Sequence, residues 1–402
     1  MRALRRLGAG LLAGAALLCT APAAFGSVGT KPDATWQANG RVSAIVVAGN
    51  GTTYIGGRFT AVRPAGVCGG CAGTVTRNHL AAFDANGNLI TAWDPNVNGN
   101  VNALAISPVD GTVIAGGDFT AVNGGVTRNR LAGFAPAGGA ATVRSWTANA
   151  SATVSALAVS GSTLYVGGKF TSIAGATRTR LAAFGLGSGT LGLNGTWKPR
   201  ANAAVNALAV AADSSGRVFA GGAFGTINGV AASHFAALTA STGALTAWAS
   251  APPGPVLKIA VTSTRVFLGE GGSGGQVGGY DQSSGAFRWR VQTDGDVQGI
   301  ALIGGELYVG GHFNNVCGGD GGGSGAPFVC NTSIPRKHLC SVDTAAADPL
   351  GVNAASALTA WNPKANSSLG VFAMAADGTR LDVGGDFTTV GGTSQQGFAR
   401  FH

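Results

Sequence analysis

Charge is scarce in this chain. Only 11% of its 402 residues are Asp, Glu, Lys or Arg, while 45% are hydrophobic, the reverse of the balance that keeps a chain disordered. Glutamate is nearly absent, with Glu270 and Glu306 the only two. So few strong helix formers exclude a coiled coil or a helical bundle. No stretch reaches the roughly 18 apolar residues that cross a bilayer, so no membrane span is expected. His-Glu-x-x-His is missing, which removes the commonest local signature of a zinc protease. No basic run interleaved with aromatics occurs, so nucleic acid is not an expected partner. What the chain has in excess is glycine, 68 residues. The glycines cluster in pairs without the three-residue period of collagen. The class left is all-β, a protein of short strands and turns.

Residues 1–26 read as a secretory signal peptide. Arg2, Arg5 and Arg6 precede an apolar core from Leu7 to Leu18, and small residues follow at Ala21, Ala23 and Gly26, the order such signals share. The expected location is secreted, extracellular or cell envelope. The formal net charge of +9 falls to about +6 once three arginines are lost with the signal, too mild for a nucleic-acid stripe.

Residues 27–402 form one repeat array. The phrase Val42-Ser-Ala-Ile-Val-Val returns at Val101, Val154 and Val205, with weaker copies starting at Val256, Val297 and Leu369. A second strand ending in a glycine pair follows each, as in Tyr54-Ile-Gly-Gly-Arg-Phe-Thr. The third is Arg77-Asn-His-Leu-Ala-Ala-Phe and its kin, and the fourth ends at a tryptophan. The seven tryptophans, Trp36, Trp93, Trp146, Trp197, Trp248, Trp289 and Trp361, are spaced by 57, 53, 51, 51, 41 and 72 residues. Four short strands per unit of this length predict a seven-bladed β-propeller of four-stranded blades. The blades fall near 42–99, 101–152, 154–203, 205–254, 256–295, 297–367, and 369–402 plus 32–40. The last unit lacks a tryptophan strand, and Trp36 at the other end supplies one. The N-terminal strand is therefore expected to complete the last blade and close the ring, hiding edges that an open array would expose. The small residues of the Val-x-Ala-Leu-Ala-Val strand suit the crowded axis. The tryptophans read as structural wedges between blades rather than as a sugar-stacking ring. The glycine pairs permit either positive φ or close backbone approach.

The phrases Tyr-Val-Gly-Gly-x-Phe-Thr, Arg-x-Arg-Leu-Ala-Ala-Phe and Leu-Thr-x-Trp-x-Pro resemble the delta-60 type β-propeller repeats of bacterial extracellular proteins. This resemblance covers nearly the whole mature chain and implies the fold, while that family's function is largely uncharacterised. Thr242-Gly-Ala-Leu-Thr-Ala-Trp248 also resembles the docking motif of pyrroloquinoline quinone enzymes, but no cofactor-pocket residues can be assigned, and no cofactor is expected.

Two units depart from the pattern: Gly269-Glu-Gly-Gly-Ser-Gly-Gly replaces the glycine-pair phrase, and Cys317 opens a glycine-rich insertion. Cys68 with Cys71, and Cys317 with Cys330, are expected as disulfides in an oxidising compartment. Cys340 is expected as a buried free thiol. No metal site is expected, for want of a second Cys-x-x-Cys or a His-x₃-His. The loops between second and third strands share a face with the connections between blades. Arg58, Arg63, Asp118, Lys169, His312 and Asp386 fall there and form the candidate binding face. His79 and His338 share one repeat position, with His234 aligning nearby, which favours packing over catalysis. No catalytic residue is named. The expectation is a monomeric, non-enzymatic binding protein for an unknown cell-surface protein or glycan. The alternatives are an extracellular hydrolase, lyase or quinone-dependent oxidoreductase with a cryptic axial site, and a structural module of an envelope assembly.

Overall fold

The computed structural model describes residues 27–213, 215–272, 274–318, 332–348 and 354–402. The signal expected over residues 1–26, Cys330 and most of the glycine-rich insertion lie outside the described residues.

Strands form where the apolar phrases recur, because alternating small and branched residues fit a pleated surface with one face more deeply buried than the other. Val42–Val47, Val101–Ile106, Val154–Ser160, Val205–Val210, Val256–Val261, Val297–Ile303 and Val371–Asp377 each begin a separate antiparallel sheet. Each pairs with the strand carrying the glycine pair, or its Gly269-Glu270 counterpart in the fifth sheet, and that strand pairs with the next, as Val42–Val47, Thr53–Gly57 and Leu80–Phe83 do. The first strands of successive sheets are neighbours, and Val371–Asp377 also lies beside Val42–Val47. The arrangement is all-β and propeller-like. Among the described residues helix is confined to Thr344–Ala347 and a 3-10 turn at Ala355–Ala357, and no helix is long and apolar enough to cross a membrane.

The expected four strands per sheet are not realised everywhere. The third sheet has four, ending in Thr190–Leu193, and so has the fifth, ending in Phe287–Gln292. In four others the fourth strand shrinks to one bridge: Phe83 with Leu89, Phe134 with Val143, Leu238 with Leu245, and Val342 with Leu358. In three of these four an arginine supplies part of what the ladder lacks. Arg77 donates to the Thr91 carbonyl at 2.6 Å, Arg128 to Arg144 at 2.8 Å and Arg336 to Thr359 at 3.3 Å. The outer backbone thus finds side-chain donors instead of strand partners.

The seventh sheet is met by the N-terminal segment. Gly29 N–H donates to the His402 carbonyl at 2.6 Å and Asp33 N–H to that of Arg400 at 2.8 Å. Gln395, in the place of the arginine, donates to the Thr35 carbonyl at 3.4 Å. A polar cluster lies between the seventh and first sheets. Arg400 Nε donates to Asp382 Oδ1 at 2.8 Å, and Thr53 Oγ1 to Asp382 Oδ2 at 2.9 Å. All three side chains are buried.

The glycine pairs resolve to close approach. Neither Gly56 nor Gly57 is in the left-handed region. A Cβ on Gly57 would strike the Arg41 carbonyl oxygen, and one on Gly56 the Val101 side chain of the next sheet. On Gly384 of the seventh sheet it would lie 2.6 Å from Val42 of the first. Every first strand also shifts register one residue after its leading valine or Val371 equivalent, as between Val42 and Ala44. Such bulges twist a strand and re-aim a side chain.

Apolar clusters fill the space between adjacent sheets. One joins Tyr54, Leu80 and Ala82 of the first sheet to Val101, Ala115 and Phe134 of the second around Trp93. Trp93, Trp197 and Trp289 are fully buried, Trp361 nearly so, and Trp36, Trp146 and Trp248 are half-buried. Trp93 and Trp361 meet a tyrosine edge-on at 5.1 and 4.9 Å. Their indole N–H groups reach into the next unit, Trp93 to the Ala135 carbonyl at 2.8 Å and Trp361 to that of Gly29 at 3.1 Å.

Successive units, the fourth and fifth excepted, are also clasped by one polar side chain each. Asn98 Oδ1 accepts from the N–H groups of Thr120 (2.8 Å) and Ala121 (2.9 Å). Asn39, Ser151, Asn202, Asp294 and Asn366 do the same at equivalent places.

Candidate functional site

The residue after each glycine pair is set by the loop that leaves the second strand. Arg58, Asp118, Lys169 and His312 are exposed there, while Asp386 is half-buried. The structure divides this face into local groups. In one, Asp118 accepts from Asn102 Nδ2 at 3.0 Å and Thr153 Oγ1 at 2.5 Å. Partial burial pushes its carboxyl pKa up, but those hydrogen bonds, with help from nearby Lys169, outweigh burial and leave it below the usual value. In another, Arg58 and Asp386 flank Arg41, which sequence reasoning missed. Burial and then Arg58 lower the Arg41 pKa against Asp386, and its guanidinium sits 4.5 Å over the Phe372 ring. Asp386 is further occupied by Ser368 Oγ at 3.1 Å and by the Gly370 N–H at 3.2 Å. His312 stacks on His338 at 6.4 Å. Arg63 stands apart, donating to Gln396 Oε1 at 2.7 Å.

The repeat-position histidines have a backbone role. His79, His234 and His338 share a left-handed φ of 65°, and Arg130 and Arg180 stand at the same place with 69° and 66°. His79 Nδ1 and His338 Nδ1 lie 3.0 and 3.1 Å from the carbonyls of Gly57 and Gly311.

Cys68 and Cys71 are joined, with Cα atoms 5.4 Å apart. Cys317 is also disulfide-bonded. Cys340 is free and buried, and burial pushes its thiol pKa up to about 12, which makes it inert as a nucleophile. Among the described residues no group of three or more His, Cys, Asp or Glu is placed to hold a metal ion.

A cavity of about 140 Å³ lies at the centre, lined from all seven first strands. The bulge residues Ser43, Asn102, Ser155 and Asn206 contribute polar groups. The next residue in each strand is small: Ala44, Ala103, Ala156, Ala207 and Ala373. Lys258 is the exception in that position, and sequence reasoning passed over it because its copy of the phrase is degenerate.

The fifth sheet holds a second unusual group. Glu270 replaces the second glycine of the pair and is buried, accepting from Gln276 Nε2 at 3.1 Å and Tyr280 Oη at 3.5 Å. Burial dominates over these bonds and raises its pKa to about 8.

Residues 110–138 match the model of a family described as a domain of unknown function (DUF5122) beta-propeller. No curated protein matches the chain in sequence. Among solved structures it is similar to the WD40 beta propeller domain of Doa1, at 12% identity over 92% of this chain and 96% of that one, with a TM-score of 0.57. A chain of the Mitotic Checkpoint Complex aligns at 14% identity over 98% and 99%, with a TM-score of 0.57. The computationally designed Ika8 protein gives 13%, 92% and 98%, and 0.52. At these identities the likeness speaks for the fold alone, a β-propeller.

Proposed function

We propose that the protein is a secreted, non-enzymatic binding module: a seven-bladed ring of delta-60 type repeats, closed by the N-terminal segment, whose glycine-pair face recognises a cell-surface protein or glycan as a monomer. The observation that carries this reading is the column after the glycine pairs. The scaffold repeats around it, yet that position holds Arg58, Asp118, Lys169, His312 and Asp386 in five units, four of them exposed. A scaffold that needed only solubility has no reason to vary sign and size at one place on one face. One of the structures the chain is similar to is a chain of the Mitotic Checkpoint Complex, a protein assembly, which supports recognition over chemistry. The signal-like residues 1–26 and the Cys68–Cys71 bond fit an oxidising, extracellular setting.

Co-sedimentation of the purified protein with cell-wall material of the producing organism, at low and high salt, tests the reading. Retention is expected, and a variant with Arg58→Ala and Lys169→Ala is expected to lose most of it at low salt. No retention at either salt would overturn the proposal and send the search to enzyme assays.

A further inference from the structure

Lys258 occupies the third place of the Val-x-Ala phrase, where five other units have alanine and the sixth has Gly299. Its neighbours around the cavity are Ala, Ile, Leu, Met, Ser and Asn; no other lining residue carries a charge. Among the described residues its ammonium has no ion pair, and the side chain is only part-exposed. A lone cation in such a place is unfavourable. The five alanines show that the ring closes without it, so packing does not demand a lysine. The cavity also carries hydrogen-bonding groups at one level: Ser43 and Ser155, and Asn102 and Asn206, each of which gives one amide hydrogen to Asp118 Oδ2 (3.0 Å) or the Val256 carbonyl (3.3 Å) and keeps the other. Its 140 Å³ is the share of roughly five liquid waters, room for a group the size of acetate or phosphate.

We propose that the axial cavity binds a small oxyanion, with Lys258 supplying the charge and the Ser and Asn side chains around it the hydrogen bonds. Burial lowers the ammonium pKa to about 8, so the group is mostly charged at neutral pH and an anion beside it would raise that value. The ligand is either a free inorganic ion or the carboxylate of a small organic molecule, the shared chemistry being a compact, singly or doubly charged oxygen anion.

The chain has six lysines, so ¹³C-labelled lysine side chains are resolvable by NMR, and Lys258→Ala assigns the signal. Titration at constant ionic strength with inorganic phosphate, sulfate and acetate, against chloride, is expected to shift the Lys258 signal saturably and to raise its titration midpoint by about one pH unit. Saturation by phosphate or sulfate would identify an inorganic site, and saturation by acetate alone a carboxylate site. Lys258→Ala restores the repeat residue and is expected to fold, and Lys258→Met keeps the bulk; both are expected to bind at least tenfold more weakly by calorimetry. A Lys258 response no larger than that of the other lysines would overturn the proposal. So would unchanged affinity in both variants.

Discussion

At the scale of single residues, two side chains make opposite contributions. Asn98 satisfies the N–H groups of Thr120 and Ala121, donors that no strand partner reaches. At this exposed place water takes over part of the loss, so removing the acceptor costs roughly 0.5–1.5 kcal/mol. Asn98→Ala is therefore expected to lower stability by that amount in calorimetry, and Asn98→Asp to stay near the parent, since Asp294 makes the same clasp. Glu270 works against folding. Its pKa is about 8 in the folded chain against an ordinary 4.5, so between those values the unfolded chain gives up the proton first. The folded state holds more protons there, and stability falls as pH rises from about 4.5 to 8. Glu270→Gln is expected to remove that slope and to raise stability at pH 8 by on the order of 3 kcal/mol. Denaturant melts at pH 5 and pH 8 measure both effects; an unchanged slope would count against a buried acid.

Among the elements, the first strands were legible from the sequence almost to the residue. Val42–Val47, Val101–Ile106 and Val205–Val210 begin where the phrase begins, because their alternation is a local property. The fourth strands were not: four of them reduce to a bridge at Leu89, Val143, Leu245 or Leu358. In three of the four an arginine from a neighbouring segment holds that backbone, and a pattern read along the chain does not contain such a contact. The bulges, the clasps and Lys258 escaped for the same reason, since each depends on what lies across a sheet or an axis. Two substitutions test the elements. Gly57→Ala would press a methyl on the Arg41 carbonyl and is expected to cost about 1–3 kcal/mol. Asp382→Ala would leave Arg400 buried without its carboxylate and is expected to cost about 3–5 kcal/mol. Both are read from denaturant midpoints with unchanged slope.

For the whole molecule, residues 27–36 serve a sheet formed at the other end of the chain. Without them Phe398–Phe401 would lose the bonds from Gly29 and Asp33 and present an unpaired edge, which invites association. Removal of this segment is expected to leave far-ultraviolet strand signal largely intact, to broaden the melting transition and to promote aggregation, as light scattering would report. An unaltered, monodisperse melt would show that the seventh sheet stands alone.

The contact of Asp33 with His402 joins positions 369 apart in sequence, whereas the Asn98 clasp spans 22. Chain entropy grows only slowly with such a span, so the longer closure costs about 2.5 kcal/mol more. Thermodynamically that is modest; kinetically the seam is expected to form late. Contacts absent from the transition state govern how fast a protein comes apart rather than how fast it forms. Weakening Asp382 should then quicken unfolding and leave the refolding rate nearly unchanged, making this one junction the timer for how long the folded molecule lasts.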